Sequence, residues 1–124
     1  MTWFPSLDYV VELYRKTIGK PFLMNRGGLA TSLDKSMHGV PFHDPPTIWD
    51  SVTILFKEIV ENHYFDDGNK RIGILLAFLF LEKNGYEFSP PTGDVFDVTM
   101  AVAQGAKTAD EIKEWFVRHS IAVE

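Results

Sequence analysis

The sequence predicts an all-α fold, a compact bundle of about six helices around a central buried helix. Three observations predict it. Apolar residues recur at helical spacing in one segment after another, with glycine or proline punctuating the chain between them. One of these segments, around Ile72 to Leu81, is apolar almost all round, the pattern of a helix enclosed by its neighbours. No stretch sustains the alternation of a strand, and nothing repeats or thins into a linker.

The first helix follows from Leu7, Val10, Val11, Tyr14 and Ile18, a stripe on one face with Pro5-Ser6 before it and Gly19 after. Leu29, Leu33 and Met37 give a shorter second helix after the turn-like Arg26-Gly-Gly, ended by Gly39. Val40 to Pro46 cannot continue it, because proline lacks the backbone donor and pushes the preceding residue toward extended conformation. This segment is a loop or short flap. A third helix starts at Thr47 with Asp50 in its first turn, buries Ile48, Val52, Leu55, Phe56 and Ile59, and runs to about His63. The fourth spans Asn69 to Asn84, with Gly85 as a left-handed C-cap. Asp94 to Gln104, ended by Gly105, forms the fifth. Thr108 to His119 forms the sixth, opened by a Thr108-x-x-Glu111 capping box and burying Ile112, Trp115, Phe116 and His119.

With 124 residues and a hydrophobic content of 45%, the chain can bury one sizeable core but hardly two, so residues 1–124 read as a single domain. A formal charge of −5 argues against the broad basic face that neutralises nucleic-acid phosphates, and no direct nucleic-acid partner is expected. Cysteine is absent, which excludes disulfides and thiolate-bound metal. The amino terminus lacks the basic and apolar regions of a secretory signal, and the apolar run of the fourth helix falls short of the roughly 20 residues that span a bilayer. A cytoplasmic protein without a membrane partner is expected.

Chemistry concentrates between the third and fourth helices. His63 closes one helix, Tyr64 to Gly68 make a tight connection, and Asn69-Lys70-Arg71 open the next. A helix N-terminus presents unpaired N–H groups and about half a unit of positive charge, which suits a phosphate. Gly68 lets the backbone approach closely, and Lys70 and Arg71 add full charges that the helix dipole would disfavour without an anion. Asp66 and Asp67 lie just upstream, where one carboxylate suffices to hold a magnesium ion shared with nucleotide phosphates. A neutral His63 can take a proton from an incoming hydroxyl. Each residue also has a plainer role: His63 as a dipole-stabilising helix end, Asp66 and Asp67 as turn or cap residues, Lys70 and Arg71 as solvated charges. For Asp66 the plainer role is preferred; for the others their grouping favours the chemistry. His38, His43 and His119 have no metal-binding spacing and take no catalytic role. Trp3, Trp49 and Trp115 read as packing residues.

His63-Tyr-Phe-Asp-Asp-Gly-Asn-Lys-Arg71 resembles the signature of the Fic/Doc family, His-x-Phe-x-Asp/Glu-Gly/Ala-Asn-Gly/Lys-Arg. The early Arg26-Gly-Gly-Leu29 segment and the apolar helix ending Glu82-Lys-Asn-Gly85 extend the resemblance over nearly the whole chain, toward the Doc-like branch. The resemblance implies His63 as base, Asp67 as magnesium ligand, Gly68, Asn69, Lys70 and Arg71 at the nucleotide phosphates, with Arg71 also catalytic, and Phe65 turned inward. It also implies that the loop from Gly39 to Pro46 lines up a target segment, although a plain connector is an equal reading.

Two positions depart from the nucleotidyl-transferring pattern. Lys70 stands where those enzymes have a second glycine, and Ile74 where they have a second arginine, so a bulky chain replaces open backbone and a bidentate phosphate clamp is lost. The Doc-like branch shares both features, which implies a toxin kinase that uses ATP and magnesium to phosphorylate a Ser or Thr hydroxyl of a translation factor such as elongation factor Tu. Transfer of AMP to a protein is the alternative, and a catalytically silent binding module a further one. The resemblance implies an antitoxin as well. The family's inhibitory pattern, Ser/Thr-x-x-x-Glu-Gly/Asn, is met only in its first half, at Ser120 to Glu124, so restraint is expected from a separate Phd-like antitoxin.

Overall fold

The protein is described here from a computed structural model covering residues 1–123. Its elements, in chain order, are α1 (Leu7–Thr17), α2 (Arg26–His38), α3 (Ile48–Glu61), α4 (Asn69–Lys83), β1 (Tyr86–Phe88), α5 (Thr92–Ala103), α6 (Ala109–Arg118) and β2 (Ser120–Ala122). The six helices form the all-α bundle that the apolar periodicity predicts.

Most helix starts are fixed by side chains that satisfy the otherwise unpaired N–H groups. Ser6 accepts from the Tyr9 N–H at 3.1 Å, and Asn25 from that of Gly28 at 2.9 Å. Thr47 with Asp50, and Thr108 with Glu111, form complete capping boxes. The third helix ends at Glu61, two residues before the predicted His63, because Asn62 turns extended and donates from both its N–H and its Nδ2 to the Glu58 carbonyl. The fifth helix begins at Thr92, two residues earlier than predicted.

Three further expectations are corrected. Among the described residues there are two short strands, β1 and β2, paired antiparallel with Tyr86 opposite Ala122 and Phe88 opposite Ser120. Three residues are too few to show an alternation, so neither strand carried a local signal. Met37 is exposed rather than part of the buried stripe of α2, and His119 is a half-buried C-cap of α6.

The centre is shared by α3 and α4. Val52, Leu55, Phe56 and Ile59 of α3 and Ile72, Leu76, Ala77 and Phe80 of α4 are fully buried. The two helices can approach closely because Gly73 lies between them: a Cβ there would sit 2.7 Å from Val60 Cγ2. On the far side of α3, Phe116 of α6 meets Phe56 edge to face at 5.5 Å between ring centres. The first helix lies along α4, from Tyr9 beside Lys83 to Tyr14 beside Gly68, and buries Val10 and Tyr14. Residues 39 to 47 form the predicted loop, in which Phe42 is fully exposed with φ of 67°. Among the described residues no helix is long and apolar enough to cross a membrane.

Candidate active site

The connection from Asn62 to Gly68 is irregular, yet almost every backbone group in its middle is tied down. Residues 22 to 25, between α1 and α2, run antiparallel beside it and form a single bridge, Leu23 opposite Phe65. The Tyr64 carbonyl accepts from the N–H of Met24 at 2.8 Å, and the Asp66 N–H donates to the Phe22 carbonyl at 3.2 Å. Tyr64 is buried against α2 and Phe65 against α1, while His63, Asp66 and Asp67 are exposed.

Phe65 is the anchor. Its ring is fully buried and stacks on Tyr14 of α1, with centroids 4.3 Å apart and planes 17° from parallel. The Tyr14 hydroxyl passes the ring and donates to the Asp67 carbonyl at 2.8 Å. Asn69, the first residue of α4, turns its amide back on the same loop, accepting from the Phe65 N–H at 3.0 Å and donating to the Phe65 carbonyl at 2.9 Å. In this arrangement both ends of the Asn69 amide are engaged by the loop, so the residue shapes the site from beneath. Gly68 adopts the left-handed conformation, φ 77° and ψ 12°, that turns the loop into the helix. A Cβ on it would lie 3.2 Å from Ile18 and 3.3 Å from the Tyr14 ring, a tight fit that adds to the backbone's preference for glycine.

The resulting surface is electrostatically mixed. The first turn of α4 has no side-chain cap and no acidic residue, and carries the exposed Lys70 and Arg71. Its free N–H groups and both cations make an anion site by charge and by dipole. Facing it across Gly68 are Asp66 and Asp67, neither of them in an ion pair among the described residues. The Tyr14 hydroxyl registers the grouping: burial holds its proton above the ordinary phenol range, Asp66 and Asp67 push the same way, and Arg71 opposes them. Three charged side chains thus act on one point beneath the loop.

A metal ion fits this surface only in part. No group of three or more His, Asp or Glu converges among the described residues, so an ion here would need phosphate oxygens to complete its shell, as magnesium accepts. Asp67 is the carboxylate next to Gly68 and the open helix end. Concavities of about 540, 360 and 290 Å³ lie elsewhere, the first between α5 and α6, and none includes a residue from 62 to 71. Ile74 is half-buried against the core. Ser120 lies in β2, and the Glu124 end of the inhibitory half-pattern lies outside the described residues.

Asp66, Asp67 and Arg71 lie near one another around the Tyr14 hydroxyl, Lys70 is exposed on the same first turn of α4, His63 is exposed at the start of the loop, and Asn69 is buried beneath. Sequence reasoning missed the supports: Tyr14, Ser32, Glu58 and Asn62. Tyr14 is 53 residues from the carbonyl it holds, and Ser32 is 26 from Glu58, so no local pattern could connect them. No curated protein matches the chain. A family model described as the Fic/DOC family matches residues 6–81, from the cap of α1 through most of α4 and across the whole of this site.

Proposed function

The chain belongs to the Fic/DOC family, and on that premise we propose that it is a Doc-like toxin kinase, phosphorylating a Ser or Thr hydroxyl of a translation factor with ATP and magnesium. The family is one of Fic-fold proteins generally associated with transferase activity. What favours a kinase within it is the pair Lys70 and Ile74. The exposed Lys70 puts a charged chain where nucleotidyl transferases keep bare backbone, and the half-buried Ile74 packs on the core where they direct a second arginine at phosphate. Those losses weaken the grip on an α-phosphate beside the base, whereas a nucleotide bound in reverse needs only its terminal phosphate there.

In this reading the α4 N–H groups, Lys70 and Arg71 bind the phosphates and balance their charge. Asp67 would hold magnesium, which when bound draws charge from the phosphate oxygens. His63 accepts the hydroxyl proton as that oxygen bonds to the γ-phosphorus and ADP leaves. Restraint falls to a separate Phd-like antitoxin, in keeping with Ser120 lying in a strand instead of on a helix that could cover the loop.

The test is incubation with elongation factor Tu and ATP labelled at either the α- or the γ-phosphate. Transfer of γ-label that disappears in His63→Ala, by about a hundredfold or more for loss of a general base, supports the reading. Transfer of α-label would make the chain a nucleotidyltransferase. Absence of both transfers, to this factor and to every protein of a lysate, would leave a binding module.

A further inference from the structure

His63 is exposed, but the residues on either side of it converge on one residue, Glu58: Asn62 on its main-chain carbonyl and Tyr64, through Ser32, on its carboxylate. On its amino-terminal side, Asn62 donates to the Glu58 carbonyl twice, from its N–H at 3.1 Å and from Nδ2 at 2.7 Å. On its carboxyl-terminal side, the buried Tyr64 hydroxyl bonds to Ser32 Oγ, and Ser32 donates to Glu58 Oε1 at 2.8 Å. Because the single Ser32 proton goes to the carboxylate, the phenol is the donor to Ser32. Lys35 closes the chain with an ion pair to Glu58 Oε2 at 2.5 Å.

We propose that Glu58, through Ser32 and Tyr64 on one side and Asn62 on the other, is a positioning device that holds His63 in one pose over the phosphate site. The proposal rests on the reading of His63 as the base. An exposed residue in an irregular loop would otherwise sample many backbone states, and a general base displaced by an ångström loses most of its effect. Here one exposed residue hangs between Asn62, fixed to the last turn of α3, and Tyr64, whose carbonyl is held by the Met24 and Asn25 N–H groups and whose hydroxyl is tied through Ser32 to that same turn. Ser32 is 1% exposed and Tyr64 5%, so this is a buried polar chain whose members have few other partners. Local packing is arranged around it: a Cβ at Gly28 would lie 2.8 Å from Tyr64 Cε1, so the α2 glycine leaves room for the ring. A tyrosine needed only for its apolar ring could be a phenylalanine, and the hydroxyl is what distinguishes the two.

Tyr64→Phe and Ser32→Ala remove the chain with little change of shape, and Glu58→Gln keeps an acceptor for Ser32. Backbone order at the His63 amide, read by nuclear spin relaxation, should fall from about 0.85 to below about 0.6 in the first two variants. It should stay near wild type in Glu58→Gln. In the labelled-ATP assay the first two should lose about ten- to hundredfold in kcat with KM for ATP unchanged. The Tyr64→Phe/Ser32→Ala double variant should be no worse than either alone, since both cut one chain. Unchanged order and unchanged kcat in Tyr64→Phe and Ser32→Ala would overturn the proposal. If the wild type transfers neither label while His63 still loses order in these variants, the kinase reading fails and the anchoring stands.

Discussion

Asn69 carries two bonds that the loop cannot make otherwise. Its amide meets both polar groups of the Phe65 backbone, 8% exposed and away from water. Asn69→Ala leaves a buried N–H and a buried C=O unpaired, each at about 1–3 kcal/mol. Urea unfolding should therefore show a loss of several kcal/mol, and a loss below about 1 kcal/mol would mean that water replaces the amide. Gly68→Ala should cost at least about 1–2 kcal/mol for the left-handed backbone, before its contact with the Tyr14 ring is counted. The candidate site residues stand out in the sequence because they are contiguous, their charge and spacing visible in a run of nine. Asn69's position in that run was legible too, but not the direction of its amide. A bond back to the residue four before it depends on how the loop folds, which spacing does not reveal.

The start of α2 was missed, since Asn25 caps it at Arg26 and the Arg26-Gly-Gly expected as a turn is its first turn, but the two helix starts set by capping boxes were read well. Thr47 with Asp50 and Thr108 with Glu111 cap as their order implies. The end of α3 was misread because its stop comes from Asn62, whose side chain competes for the Glu58 carbonyl. At the other end of α3, the Lys113 ammonium beside Asp50, aided by the Thr47 N–H, holds the Asp50 carboxyl below its ordinary value. The folded state thus favours the charged form, so this stabilisation is present above about pH 4 and is lost as pH falls through the lowered folded value. The margin in melting temperature of wild type over Asp50→Asn should shrink below about pH 4. A margin constant with pH would contradict this. Between α3 and α4, Gly73→Ala should cost about 1–3 kcal/mol through overpacking, since its Cβ would press on Val60. The pair β1 and β2 stayed invisible because each strand is stabilised by a partner more than thirty residues away, not by its own pattern.

For the whole molecule, the apolar stripes were enough to give a six-helix bundle, because burying each stripe leaves few arrangements for helices joined by short loops. They did not show that α3 shares the centre with α4, which follows from α3 being covered by α2, α4, α5 and α6 together. Nor did they show that the site is assembled from three separated stretches: Tyr14 of α1, residues 22 to 25, and the loop with the start of α4. That assembly leaves the open end of α4 as an anion site, and the proposed function sets His63 to work beside it. Titration of the folded chain with ATP and magnesium, followed through its backbone amide resonances, tests the claim most directly. Magnesium-dependent shifts should centre on Asp67 to Arg71, reach His63 and be lost in Arg71→Ala. Shifts confined to the groove between α5 and α6, or none at all, would contradict it.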